Sequence, residues 1–220
     1  MLYNIKITMQ ASEQSSRTLS IYKSRQVILD HLEPQGYDVS NYNEFSINEV
    51  NIMSQNKQLD MLLTNTENKK QVFVKYFLLK GLRDTYIYDM IEDLYNLEQI
   101  LTKGDTLIII AKDDPNNSLQ AFLKTIFSNE DIFIIVHSLK RLQFNLLEHE
   151  LVPKHTILTE EQVTKFKKEY GITKSTQIPD ISRFDPVALA IGMRPGEICH
   201  IERKSKIAVV GDYYRSCIND

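Results

Sequence analysis

Tryptophan is absent from this chain, and among its 220 residues only two are cysteine, seven glycine and six proline. Each scarcity excludes something. With so little glycine, a glycine-rich phosphate loop is not expected. Cys199 and Cys217 lack CxxC spacing, so they are read as free, buried thiols of a reducing compartment rather than a disulfide framework. No apolar run approaches the length of a membrane span, and the first residues lack the apolar core of a signal peptide. The net charge is -3, which gives no global pull toward nucleic acid; any such contact must be local. Internal repeats and low-complexity tracts are also missing. The ordinary apolar share leaves room for one large folded domain or two small ones.

The stretch Glu148-His149-Glu150-Leu151-Val152-Pro153-Lys154-His155 divides what is there. Before it, strand-like apolar runs alternate with helical patterns; after it comes a shorter segment dense in turn and cap signals. Pro153 removes a backbone donor and biases Val152 toward an extended conformation, which suits a crossing between two packed units.

The structure of residues 1–16 is left open. Ile21, Ile28, Leu29 and Leu32 recur at helical spacing, and Pro34 and Gly36 stop that helix. Ser40 is the expected N-cap of a second helix carrying Tyr42, Phe45, Glu49 and Met53. Residues 59–64 and 72–78 read as a hairpin with a charged tip that holds Lys69 and Lys70. A long helix then keeps Ile87, Met90, Ile91, Leu94, Leu97 and Leu101 in register. The continuous apolar runs 106–111 and 132–136 are strands covered on both faces. Between them, after the loop 113–117, Ser118 is the expected cap of a helix. Strand, helix and strand at this spacing form a βαβ unit, so the first two-thirds reads as an α/β domain with a mixed sheet.

In the last third, Thr159 and Gln162 form a capping box with Glu160 and Glu161 at the positive end of the helix. Its expected buried stripe is Val163, Phe166, Lys167 and Tyr170. Asp185-Pro186 starts a short helix that Gly192 ends. Arg194-Pro195-Gly196-Glu197 has the composition of a type II turn. Residues 197–203 and 212–218 then read as strands. The segment is a small α+β unit.

Candidate chemistry is sparse. Asp60 and Lys75 occupy places where metal-dependent nucleases on mixed α/β folds keep an Asp and the Lys of a Glu-x-Lys pair. The acid position two before Lys75 is Phe73, and one carboxylate is too few for a catalytic divalent metal. A degenerate nuclease is therefore set aside. His149 and His155 lack the third and fourth ligands that zinc requires and are read as structural or interface residues. His200 beside Cys199 is no dyad, because adjacent strand residues point to opposite faces. The lysines of the hairpin tip are read first as a solvated edge that resists edge-to-edge pairing.

Residues 148–155, then Thr159-Glu160-Glu161, Ile178-Pro179, Asp185-Pro186-Val187-Ala188, Gly192-Met193-Arg194-Pro195-Gly196-Glu197, Ile201-Glu202-Arg203-Lys204-Ser205 and Tyr213-Tyr214-Arg215 together resemble the assembly domain of the fifth common subunit of eukaryotic RNA polymerases, a family whose archaeal form lacks a jaw. The first two-thirds is similar, more loosely, to the jaw domain of the eukaryotic subunit, which shares the restriction-endonuclease fold without being a nuclease. The resemblance implies a jaw domain over residues 1–148 and an assembly domain over 149–220. It implies a non-catalytic subunit of a multisubunit DNA-dependent RNA polymerase, with no cofactor, metal, membrane or small-molecule substrate. The partners it implies are the largest subunit, neighbouring small subunits and, non-specifically, downstream duplex DNA.

Carried over by position, partner contact falls to His149, Leu151, Val152, Pro153, His155, Asp185, Pro186, Arg194, Arg203, Tyr214 and Arg215. Lys69, Lys70, Lys112 and Lys124 are the candidates for DNA phosphate. The alternatives are a stand-alone interaction protein using the assembly domain and, behind it, a degenerate metal-dependent nuclease. Two departures stand out. The family's Thr-Pro-Ser-Ala loop near DNA is replaced by Asp114-Pro115-Asn116-Asn117-Ser118. The favoured Ser-Glu-Thr-Ala-Gly is replaced by Ser205-Lys206-Ile207-Ala208-Val209, a charge reversal expected to meet a co-adapted partner surface. This divergence, with a composition rich in Asn, Ile and Lys, suits a polymerase encoded by a large DNA virus; the expected location is the nucleus, or a viral factory or virion in the cytoplasm if the chain is virus-encoded.

Overall fold

A computed structural model describes residues 2–205 and 209–220, with side chains from residue 14 onward. The chain divides into two compact units, Met1–Phe144 and Asn145–Asp220.

In the first unit, α1 spans Leu2–Leu32. It buries Ile21, Arg25, Ile28, Leu29 and Leu32, one helical face repeated over three turns. The helix thus starts far earlier than its apolar stripe, because Ile5, Ile7 and Met9 alternate with polar residues and residues 11–17 are almost wholly polar, so neither stretch shows a helical period. Pro34 lies in a 3-10 turn, and Gly36 closes the stop at φ 88°. A Cβ at Gly36 would lie 3.2 Å from Asn65 Nδ2, so this position favours glycine on both conformation and space.

Helix α2 spans Ile47–Gln55 and is capped by Ser46, not Ser40. Ser46 and Glu49 form a reciprocal capping box, with Ser46 N–H donating to Glu49 Oε2 at 2.7 Å. That arrangement satisfies two orphan donors at once. Ser40 instead donates its N–H and hydroxyl to Asp38 Oδ1, at 3.0 and 2.5 Å, and closes a turn.

Strands β1 (Met61–Thr64) and β2 (Gln71–Phe77) form the expected hairpin. Helix α3 covers Asp84–Ile91 and passes into a π-helical turn over Glu92–Leu97. The single long helix expected here is therefore interrupted. A π turn inserts about one extra residue per turn, which rotates Leu97 off the buried face and leaves it 70% exposed. Strand β3 (Thr106–Ala111), helix α4 (Asn117–Glu130) and strand β4 (Phe133–Ser138) follow. The cap of α4 is Asn116, whose Oδ1 accepts from Leu119 N–H at 2.8 Å; Ser118 lies inside the first turn. The sheet order is β1-β2-β3-β4, antiparallel between β1 and β2 and parallel thereafter. Every residue of β3 and β4 is buried, as expected of strands covered on both faces.

The outer edge of β1 is closed by the chain itself. The Tyr42 hydroxyl donates to Leu62 C=O at 3.1 Å and accepts from Leu62 N–H at 3.2 Å. Asp38 N–H donates to Thr64 C=O at 3.1 Å. The groups that an edge strand offers to a second chain are thereby occupied.

The second unit is a mixed four-stranded sheet among the described residues, in the order β5-β7-β8-β6. Its elements are β5 (Lys154–Ile157), α5 (Glu160–Glu169), β6 (Asp180–Ser182), α6 (Pro186–Ala190), β7 (Ile198–Ser205) and β8 (Val209–Ile218). The expected capping box of α5 is present, with Thr159 N–H donating to Gln162 Oε1 at 2.9 Å. Asp185 Oδ1 caps α6 by accepting from Val187 N–H at 2.9 Å. Gly196 sits at φ 94° with Glu197 N–H bonded to Arg194 C=O, as a type II turn requires.

Candidate partner-binding surface

Side chains alternate along β7 and β8, and the register assigns each to a face. Cys199 faces Arg215 across the strands, Ile201 faces Tyr213, and His200 faces Tyr214. On one face Cys199, Ile201 and Cys217 pack with Ile181, Ala188 and Met193 beneath α6. On the other, Ile198 packs with Phe166 and Ile178, and Tyr214 closes over them. The sheet is thus the middle layer between α6 and α5. Burial pushes both thiols above their usual range, Cys217 to about 12, so they stay protonated and serve as core.

This layering sorts the sequence candidates. His155 pairs with Ile201, so His155, Arg203 and Arg215 share the α6 face. The turn Leu146–Glu148 packs against α6, and the segment 149–153 leaves from there. Leu151 is 84% exposed, a bare apolar side chain with no core to join. His149 Nδ1 accepts from Leu151 N–H at 3.2 Å, and His155 Nδ1 lies 2.7 Å from Pro153 C=O. These two bonds shape the chain around the half-buried Val152 and Pro153. Asp185 and Pro186 build the start of α6, and Arg194 N–H is held by Glu197 Oε2 at 2.7 Å.

Tyr214 departs from this group. Its ring lies 4.1 Å from Phe166 and 5.0 Å from His200, on the α5 face, and His200 Nε2 is 2.7 Å from Asp212 Oδ1. The exposed neighbour on the α6 face is Tyr213, with the Arg215 guanidinium 5.6 Å from its ring centroid. Sequence reasoning passed over Tyr213, although strict alternation from buried Cys217 through Arg215 identifies it. The α5 stripe is also narrower than expected: Phe166 is buried and Val163 half-buried, while Lys167 and Tyr170 are exposed. Lys206, Ile207 and Ala208, the charge-reversed stretch, lie outside the described residues.

With this layered unit in view, its likeness to known proteins is specific. The profile of the family "RNA polymerase Rpb5, C-terminal domain" matches residues 144–217. DNA-directed RNA polymerase subunit Rpo5 of Pyrococcus abyssi is 44% identical over 78 residues, covering 94% of that protein and 36% of this chain. The Rpo5 of Archaeoglobus fulgidus is 43% identical over 74 residues, covering 96% of that protein and 34% of this chain.

This chain belongs to the Rpb5/Rpo5 family.

The family match lies in the second unit, so residues before 144 are read from their own geometry. There the four candidate lysines do not form one patch. Lys69 and Lys70 are exposed just before β2, where β3 begins. Lys112 follows the end of β3, at the opposite end of the sheet, about 20 Å away at 3.3 Å per residue. Lys124 is half-buried on α4. Lys103, exposed just before β3, is the unanticipated neighbour of the hairpin-tip pair. Beside Lys112, Asp113 and Asp114 pair with Lys140 at 3.5 Å and Arg141 at 2.7 Å, which neutralises that end. Asp60 pairs with Lys75 at 3.6 Å and accepts from Tyr76 N–H at 3.0 Å. With Phe73 as the neighbouring side chain, this pair serves the strand ends. Among the described residues no group of three His, Cys, Asp or Glu side chains could hold a metal ion, and no helix is long and apolar enough to cross a membrane.

Proposed function

We propose that this chain is a non-catalytic subunit of a multisubunit DNA-dependent RNA polymerase. It docks on the largest subunit and neighbouring small subunits through residues 149–220. Residues 1–148 act as a jaw beside downstream duplex DNA. The carrying observation is the near-complete coverage of Rpo5 relatives at about two-fifths identity by one compact unit of this chain. The α6 face, with His155, Arg203, Arg215 and the exposed Leu151, is the docking surface, joined by Tyr213. In this reading Tyr214 supports that surface from behind.

The jaw reading draws support from the mixed sheet of the first unit and from the Asp60–Lys75 pair beside Phe73. In this reading the arrangement is what remains of a restriction-endonuclease-like fold that has lost its second acid. Its DNA contacts are electrostatic and position the duplex without reading sequence. Lys69 and Lys70 carry them, and Lys112 and Lys124 add separate contacts. The place of action is the nucleus, or a viral factory or virion for a virus-encoded polymerase.

The test is an affinity pull-down of the tagged chain from its native source, with mass spectrometry and run-off transcription on the eluate. Stoichiometric recovery of the two largest polymerase subunits with activity is expected. Recovery of the chain alone, independent of salt, would overturn the subunit reading in favour of a free-standing interaction protein. Within an active polymerase, Lys69→Ala/Lys70→Ala is expected to flatten the salt dependence of promoter-complex stability, by about one unit of slope for each phosphate no longer neutralised. An unchanged slope removes these lysines from the DNA interface.

A further inference from the structure

Strand β8 outruns one of its neighbours. β6 pairs with it only at Ser216, Cys217 and Ile218, whereas β7 pairs with it from Val209 to Ser216. Residues 209–215 therefore have a strand on one side only. Alternation along β8 decides which backbone groups face the open side. Cys217 N–H donates to Glu197 C=O at 2.8 Å, on the β7 side, and Ser216 N–H donates to Pro179 C=O at 2.9 Å, on the β6 side. The β7–β8 register then runs without a bulge to Val209. By the parity of Ser216, the N–H and C=O groups of Tyr214, Asp212 and Val210 point to the β6 side. Among the described residues no strand and no hydrogen bond meets them there.

The first unit closes the edge of β1 with Tyr42, but β8 has no such cover among the described residues. From Val209 to Arg215 it holds neither proline nor lysine, the usual means of blunting an edge. Val210 and Asp212 are exposed. The open stretch is about 23 Å long at 3.3 Å per residue, room for a strand of ordinary length.

Side chains along this stretch select the occupant. Tyr213 and Arg215 lie on the α6 face, with the Arg215 guanidinium against the Tyr213 ring and its Nη1 donating to Asp180 C=O at 3.2 Å. Arg215 has no ion pair among the described residues. Asp212 and Tyr214 lie on the α5 face, and Asp180 joins them through its register with Ser216. An added strand therefore meets a cation on one face and, on the other, an aromatic ring between two carboxylates. Acidic side chains suit the first face. Uncharged β-branched ones suit the second, where acids are repelled. A second copy of this chain centred on Asp212 would set carboxylate against carboxylate. We infer that the outer edge of β8 docks an extended segment of a partner polypeptide, alternating acidic and β-branched residues, which adds to the sheet as a further strand. This contact goes beyond the α6-face docking proposed above and holds whichever partner supplies the strand.

Amide exchange in the full isotope-labelled chain, read residue by residue by NMR, tests it. In the free chain Val210, Asp212 and Tyr214 should exchange quickly, and Gly211, Tyr213 and Arg215 slowly. Saturation with an acetylated, amidated peptide of alternating Glu and Val should slow the first three at least tenfold. A peptide of the same composition in two blocks, and one with Lys in place of Glu, should each bind at least threefold more weakly. Asp212→Pro deletes an outward N–H and leaves the β7 ladder intact. It should weaken the peptide about fivefold, with Asp212→Asn binding at least as well as the parent. Exchange in the parent chain carries the test should Asp212→Pro not fold. Slow exchange at all six amides of the free chain, or no change with the alternating peptide, overturns the proposal. Protection of Val210, Asp212 and Tyr214 that rises with protein concentration alone also overturns it, in favour of a second copy. Recovery of polymerase subunits in the pull-down, with the peptide inactive, would remove this proposal and leave the subunit reading standing.

Discussion

His137 shows how one side chain sets a pH limit. It lies in β4 and is buried. Burial first, then the neighbouring His31 and Arg141, lowers its pKa to about 3. In the unfolded chain a histidine titrates near 6.5. Between those values the unfolded state binds more protons, so this contribution to stability is present above about pH 6.5 and is lost as pH falls toward 3. Denaturant midpoints measured from pH 7 to pH 4 should fall steadily, and His137→Leu should flatten that limb; a parallel pH profile in the variant would assign the acid sensitivity elsewhere. The thiols make a second test. Because burial keeps Cys199 and Cys217 protonated, alkylation should be slow in the native protein and should accelerate together at both sites on unfolding. Tyr214→Ala removes a ring packed on Phe166 and His200 and should cost about 2–3 kcal/mol, read as a lower melting temperature, with Tyr214→Phe close to neutral.

Elements were legible where one local signal dominated. The capping box at Thr159, the Asp185-Pro186 start and the apolar strands β3 and β4 stand where local chemistry places them. The misplacements have physical reasons. Ser40 and Ser118 are competent caps by residue type, but Ser46 has Glu49 three residues on and Asn116 reaches Leu119 N–H. Residue type alone does not rank rival caps. The π turn is invisible to a 3.6-residue period, and the first half of α1, with Ile5, Ile7 and Met9 alternating before a polar stretch, has no helical stripe to find. His155, Arg203 and Arg215 share the α6 face, and seeing that Tyr213 rather than Tyr214 lies on it with them needs the strand alternation anchored on a buried residue. The caps can be weighed directly: Thr159→Ala and Ser46→Ala should each cost about 1 kcal/mol. Helical hydrogen-exchange protection should weaken first at Gln162 and Glu49; loss confined to other positions would show that the caps are not the anchors.

Across the whole molecule, the second unit corresponds in extent to nearly the entire length of its Rpo5 relatives. Residues 145–220 expressed alone should therefore unfold in one cooperative transition; a broad, non-cooperative melt would mean that the first unit is required for its core. The first unit carries a different kind of dependence. The Tyr42 hydroxyl closes the outer edge of β1, and the same ring stands beside Arg25. One phenol therefore belongs to two equilibria. Whatever holds the Tyr42 ring beside Arg25 also keeps the sheet from adding strands, and whatever draws it away exposes Leu62 as a template. Solubility thereby depends on one hydroxyl: Tyr42→Phe should polymerise with a steep dependence on protein concentration while its monomer retains native secondary structure. The chain's tendency to associate with itself becomes a readout of one side-chain contact that lies outside residues 144–217, the stretch the family profile matches.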